Sequence, residues 1–194
     1  MRIIRDALSA IGAPGRFALL GAVSGSVAIT LILVWVWPTP DHRFLGWRPF
    51  EWLALSPSSV FPGLVFGLFI GLALNRGGHA GPRTFAAYVA ASTVSYFAAF
   101  HLGLHIVDHA GPLLLIGMIA GLLGSACLTG LAAWMFPFVR KFRPIALMLF
   151  AGCVLGSLIT LTASFWGMFL FFAAWQAGYA AAFATALPGG RRAG

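Results

Sequence analysis

The sequence predicts an all-α fold: a polytopic membrane helix bundle of about six transmembrane helices. Three observations carry that expectation. Of 194 residues, 60% are hydrophobic and only 8% are charged, against about 25% charged in a soluble domain. The apolar residues gather into six long runs separated by short polar breaks. Each run approaches the roughly 20 residues that cross a bilayer core about 30 Å thick. Six such spans with short loops use up the length, so residues 1–194 are expected to form a single integral membrane domain.

The first span is expected at Phe17–Trp37. With the preceding MRIIRDALSAIGAPGR it has the outline of a signal peptide. The run is too long for such a segment and ends in Trp-Pro-Thr-Pro without a small-x-small cleavage site, so it reads as a retained helix. The second, Val60–Leu74, is short. It implies either an earlier start near Ser58 or a helix tilted in a thin local bilayer. Thr84–Val107 and Pro112–Phe138 are the third and fourth. Pro144–Ala163 and Phe165–Leu187 follow, joined by so little chain that they should form a tight antiparallel hairpin.

Orientation follows from the basic residues, which concentrate on the cytoplasmic side of membrane proteins. With the N-terminus inside, the inner segments hold Arg2, Arg5, Arg16, Arg76, Arg83, Arg140, Lys141, Arg143, Arg191 and Arg192, and the outer loops hold only Arg43 and Arg48. The asymmetry puts both termini in the cytoplasm, with residues 1–16 as a basic N-terminal segment and 188–194 as a tail. The expected location is the bacterial inner membrane. The net charge of +8 is no nucleic-acid signal, because the cations lie in the breaks and not along one face. The outer loop, 38–59, contains FLGWRPFEWLAL and reads as an interfacial segment with its Trp rings at headgroup level. A lid or recognition loop is the alternative.

Glycines recur every fourth residue along several runs: Gly63, Gly67 and Gly71; Gly21 and Gly25; Gly117 and Gly121 with Ser125; Gly152 and Gly156. Such stripes let another backbone approach closely, within the chain or in a self-associated complex. The third and sixth runs lack them and share an aromatic-Ala-Ala-aromatic segment instead, Tyr96-Phe97-Ala98-Ala99-Phe100 and Phe171-Phe172-Ala173-Ala174-Trp175. Gly25-Ser26 with Thr30 matches Gly124-Ser125 with Thr129 at identical spacing. The two halves therefore look alike, and three spans per half would make a 3+3 inverted repeat, with a site at the repeat interface. Ordinary tight packing in a Gly/Ala-rich chain is the competing account.

In HLGLHIVDH, His101, His105, Asp108 and His109 share one arc of a helix. Histidines four apart can share a metal. His101 and His109 would lie about 12 Å apart along the axis, so an ion would use an adjacent pair, with a third ligand from Asp41 or His42. A metal ion or haem on His101, His105 and His109, a proton relay, and a structural or pore-lining role all remain open. Cys127 and Cys153 lie in apolar runs and are expected to be packing residues, not a disulfide.

All four acidic residues, Asp6, Asp41, Glu51 and Asp108, fall in loops or at helix ends. An ion-driven pump usually keeps a carboxylate within the membrane. There is no nucleotide-binding loop, nucleophile elbow, His-Glu-x-x-His or Cys-x-x-Cys, and no catalytic residue is assigned. Gln176 stands out, because a bare amide near mid-membrane is costly and must face a neighbour or a cavity. With Tyr179, Tyr96 and His101 it forms the candidate substrate-binding set. The first functional expectation is a permease- or channel-like facilitator, or the membrane subunit of a transporter, for a neutral or weakly polar small molecule. The alternatives are an accessory subunit docking through outward glycine faces, as a homo-oligomer or in a larger membrane complex, and a metal- or haem-binding redox protein. The bilayer itself is the expected partner.

Overall fold

A computed structural model describes residues 11–36, 57–107 and 112–188. Most of the interfacial loop, with Asp41 and His42, falls outside them, as do Asp108, His109 and the tail from 189. Among the described residues there are six long α-helices, two short 3-10 segments and no strand.

Helix α1 (Ala13–Val36) begins ahead of the expected Phe17, because Pro14 fits a first turn that needs no backbone N–H. Helix α2 (Pro57–Arg76) also begins early, which gives it an apolar span of 18 residues, Ser59–Arg76. Of the two readings of this run, the earlier start holds. The helix stops at Gly77-Gly78. Gly78 adopts φ +72°, His79 N–H reaches Leu74 O at 2.9 Å, and Gly78 N–H reaches Asn75 O at 3.0 Å. These paired bonds close a helix on a left-handed residue. Gly78→Ala should cost about 1 kcal/mol through Cβ strain, read as a lower thermal midpoint in detergent; an unchanged midpoint would mean that the turn relaxes freely.

Helix α3 spans Pro82–Val107 and α4 spans Leu113–Met135. The expectation that α4 runs to Phe138 is corrected. Pro137 disfavours helical backbone in the residue before it, and Phe136 is extended at φ −123°, ψ 103°. A 3-10 turn, Pro137–Arg140, follows. There Arg140 Nε donates to Ala133 O at 2.9 Å and satisfies an end carbonyl of α4. Helix α5 (Phe142–Gly156) starts before the expected Pro144, and its continuation to Ala163 tightens into a 3-10 segment, Ser157–Ala163. Only Ser164 separates that segment from α6 (Phe165–Ala184), and its Oγ caps α6 by accepting from Gly167 N–H at 3.0 Å. The tight hairpin is present as expected. Helix α6 ends at Ala184, short of Leu187.

Each helix packs on its chain neighbour, and α6 returns along α1, so the six close into a ring that α2 and α6 also bridge across the inside. The glycine stripes form the seams. On α1, a Cβ at Gly21 would lie 2.8 Å from Ala177 Cα, and one at Gly25 2.6 Å from Phe172 C, both on α6. On α2, Gly63 and Gly67 press on Ser92 and Val89 of α3. Gly117 and Gly121 of α4 face Gly152 and Gly156 of α5. All these glycines are buried inside the chain, so none of them offers an outward docking face.

Large apolar side chains cover the outside instead: Phe142 is 85% exposed, Trp166 77% and Trp134 76%. In water such a surface would drive association; in lipid it costs nothing. All six helices, α5 together with its 3-10 continuation, are long and apolar enough to cross a membrane, with spans of 18 to 23 residues. The architecture is compatible with a membrane protein.

Candidate functional site

Two apolar layers fill the ring, one toward each end. The first contains Phe17, Ile70, Leu74, Tyr88, Phe136 and Phe183, with Tyr88, Phe136 and Phe183 rings 5.8–6.1 Å apart. The second contains Ile29, Ile32 and Phe172, with Phe61 and Tyr96 against them. Along α6, Gln176 falls between Phe172 and Phe183; along α1, Ser24 falls between Phe17 and Ile29. The polar groups thus occupy the level between the two layers.

Gln176 is 1% exposed. Its Nε2 donates to Pro62 O on α2 at 3.1 Å, and its Oε1 accepts from Ser24 Oγ on α1 at 2.5 Å. The Pro62 carbonyl fixes which end of the amide is nitrogen, since only an N–H can face it. The next carbonyl of α2, at Gly63, accepts from Ser92 Oγ on α3 at 2.8 Å. One amide and two hydroxyls therefore link these helices: α6 and α3 bond the Pro62-Gly63 step of α2 directly, and α1 joins through Gln176. Three residues further along α6, Tyr179 Oη lies 3.0 Å from Thr129 Oγ1 on α4, with its ring edge-on to Phe66. Tyr179→Phe should cost about 0.5–1.5 kcal/mol, measured as the shift in thermal midpoint; no shift would mean that Thr129 bonds equally well elsewhere.

These groups border an internal cavity of about 20 Å³ lined by α2, α3, α4 and α6. Of the four candidate substrate-binding residues, Gln176, Tyr179 and Tyr96 line it and His101 does not. His101 sits toward the end of α3, its ring 4.2 Å from that of Phe97 and 5.6 Å from that of Phe100, with Nε2 buried and unpartnered. His105 is exposed. Among the described residues no group of three His, Cys, Asp or Glu is placed to hold a metal; the third histidine of the candidate set, His109, lies outside them. Cys127 and Cys153 are free thiols, and Cys127 is exposed on the helix surface, so it is not the packing residue expected.

Sequence reasoning overlooked Ser95 and Trp175, which also line the cavity. Membrane serines commonly bond their own helix, as Ser26, Thr30 and Thr93 do here. Ser95 does not: its Oγ, like Trp175 Nε1, is buried with no partner in the protein. The cavity lining carries no charged side chain, so what it can accommodate is a small neutral group.

Fold and site together define a class: a ring of six helices of membrane-spanning proportions around a small, uncharged, largely apolar cavity. No protein-family model, characterised protein or solved structure matches the chain.

Proposed function

We propose that the chain is an integral membrane protein of the bacterial inner membrane, with both termini cytoplasmic, and that it acts as a permease-like facilitator for a neutral or weakly polar small molecule. The observation that carries this reading is the placement of one small uncharged cavity, beside the buried amide of Gln176, between two apolar layers. A substrate site closed toward both faces has that form, and transport then proceeds by rocking helices apart on one side at a time. At about 20 Å³ the cavity is too small to pass a solute as it stands, so passage requires the halves to separate.

Two further observations support the reading. Among the described residues, Arg16, Arg76, Arg83, Arg140, Lys141 and Arg143 lie at helix ends that an up-and-down bundle gathers on one side, as the positive-inside rule requires of a cytoplasmic face. The proposed 3+3 inverted repeat has one packing counterpart. Gly25 of α1 meets Phe172-Ala173 of α6, and Gly124 of α4 meets Ala99 of α3, in the matching aromatic-Ala-Ala-aromatic segment. The α2 and α5 stripes do not correspond, since one faces α3 and the other α4.

The test is osmotic swelling of proteoliposomes with a panel of small neutral solutes. At least one solute should enter faster than into protein-free vesicles; equal rates for all of them would remove the facilitator reading.

A further inference from the structure

We propose that the turn between α4 and α5 binds an anionic phospholipid, with Arg140, Lys141 and Arg143 on its phosphate and Phe142 and Trp134 against its carbon chains. The inference rests on the reading of the chain as a membrane protein and is independent of transport. Sequence supplies the charge. Residues 137–144 read PFVRKFRP, with three cations in four positions, and no Asp or Glu follows Asp108 to neutralise them. Consecutive Cα atoms lie about 3.8 Å apart, so the first and last of these cations are anchored within about 11 Å of one another. Structure supplies the placement. Arg140, Lys141 and Arg143 are all exposed. One span ends at Met135 and the next begins at Phe142, so the turn falls at the level of lipid headgroups. Arg140 is held in place: its Nε donates to Ala133 O at 2.9 Å, and its Nη2 approaches Trp134 O at 3.5 Å. A guanidinium has five N–H donors, so three stay open to a phosphate.

The apolar neighbours select a lipid over a soluble anion. Phe142, set between Lys141 and Arg143, is 85% exposed, and Trp134, next to last in the α4 span, is 76% exposed. A free phosphate ion gains nothing from two bare rings, whereas the carbon chains of a phospholipid cover them. Net charge selects among lipids. Phosphatidylglycerol keeps its negative charge, and phosphatidylcholine cancels its own phosphate with an ammonium group.

The test is native mass spectrometry of the full chain in neutral detergent with phosphatidylglycerol or phosphatidylcholine added. Wild type should retain the first in preference to the second. A basic residue near an anionic surface contributes about fivefold in affinity, so Lys141→Gln with Arg143→Gln should weaken retention about 25-fold. Arg16→Gln with Arg76→Gln removes as many exposed charges from α1 and α2, across the ring, and should leave retention unchanged. Equal retention of the two lipids, a Lys141→Gln, Arg143→Gln protein that binds as wild type does, or an equal loss in the Arg16→Gln, Arg76→Gln control would each overturn the inference. Displacement of the lipid by excess inorganic phosphate would overturn it too. Alkaline carbonate extraction of native membranes separates the two readings. Release of wild type would remove the membrane reading and this inference with it; an embedded protein without lipid preference would remove this inference alone.

Discussion

Replacing Gly121 by valine should break the bundle apart along its α4–α5 seam. A Cβ at this position would fall on the Gly152 carbonyl oxygen and lie 2.9 Å from Gly156 Cα. Both obstacles are backbone, so no rotamer change relieves them and the helices must separate. Overpacking that forces backbone shifts costs about 1–3 kcal/mol. Here the valine methyls add to a Cβ that already does not fit, and a loss of about 3 kcal/mol or more is expected. For a chain of this size that is a midpoint drop of about 6–12 °C, or no monodisperse folded peak at all in mild detergent. The control is Gly130→Ala on the same helix. Gly130 is exposed, and a Cβ there meets nothing within 4 Å, so better helix propensity should leave stability equal or slightly higher. A Gly121→Val protein as stable as wild type would mean that α4 and α5 do not meet backbone to backbone.

The second large effect is on flux. Gln176 gives one N–H to Pro62 O and one acceptor site to Ser24 Oγ, which leaves one N–H and one lone pair uncommitted for a solute that parts the helices. Gln176→Leu keeps the volume and discards both. Its structural cost is modest. Hydrogen bonds between membrane helices average about 0.6 kcal/mol, so the loss of two costs about 1 kcal/mol, and Ser24 Oγ retains Gly21 O at 2.8 Å. The cost to a passing polar solute is larger, because it meets an apolar wall where a partner stood. Loss of one such bond at the barrier, about 1.5 kcal/mol, slows passage about tenfold. Flux should therefore fall far more than stability.

The sequence made the helices legible because lipid imposes one demand on every span, and a run of apolar residues answers it without reference to any neighbour. Helix ends were less legible where local backbone chemistry decides them: Pro137 ends α4 early, and Pro14 and Pro57 permit early starts. The glycine stripes were readable as spacing but not as pairing. A glycine presents no side chain to specify its mate, and nothing at Gly21 or Gly25 announces the backbone of α6, some 150 residues away.

The cavity was half legible. Gln176 and Tyr179 were singled out because a buried amide or phenol must find a partner, and each does. Ser95 and Trp175 were not, because serine commonly satisfies itself on its own helix and tryptophan commonly marks the interface. His101 stands out in the sequence as an ionisable residue within a span, which says nothing of where its side chain packs. Phase fixes the face of a helix but not the depth at which that face meets its neighbours, and the structure places His101 away from the cavity lining.

The most direct test of the account is stopped-flow swelling of proteoliposomes containing wild type or Gln176→Leu at matched density, over a panel of small neutral solutes. Wild type should admit at least one solute faster than bare vesicles, and the variant, still folded, should admit it about tenfold more slowly. Equal rates for wild type and a folded Gln176→Leu would contradict it, because the solute would then not pass the cavity at the centre of the ring.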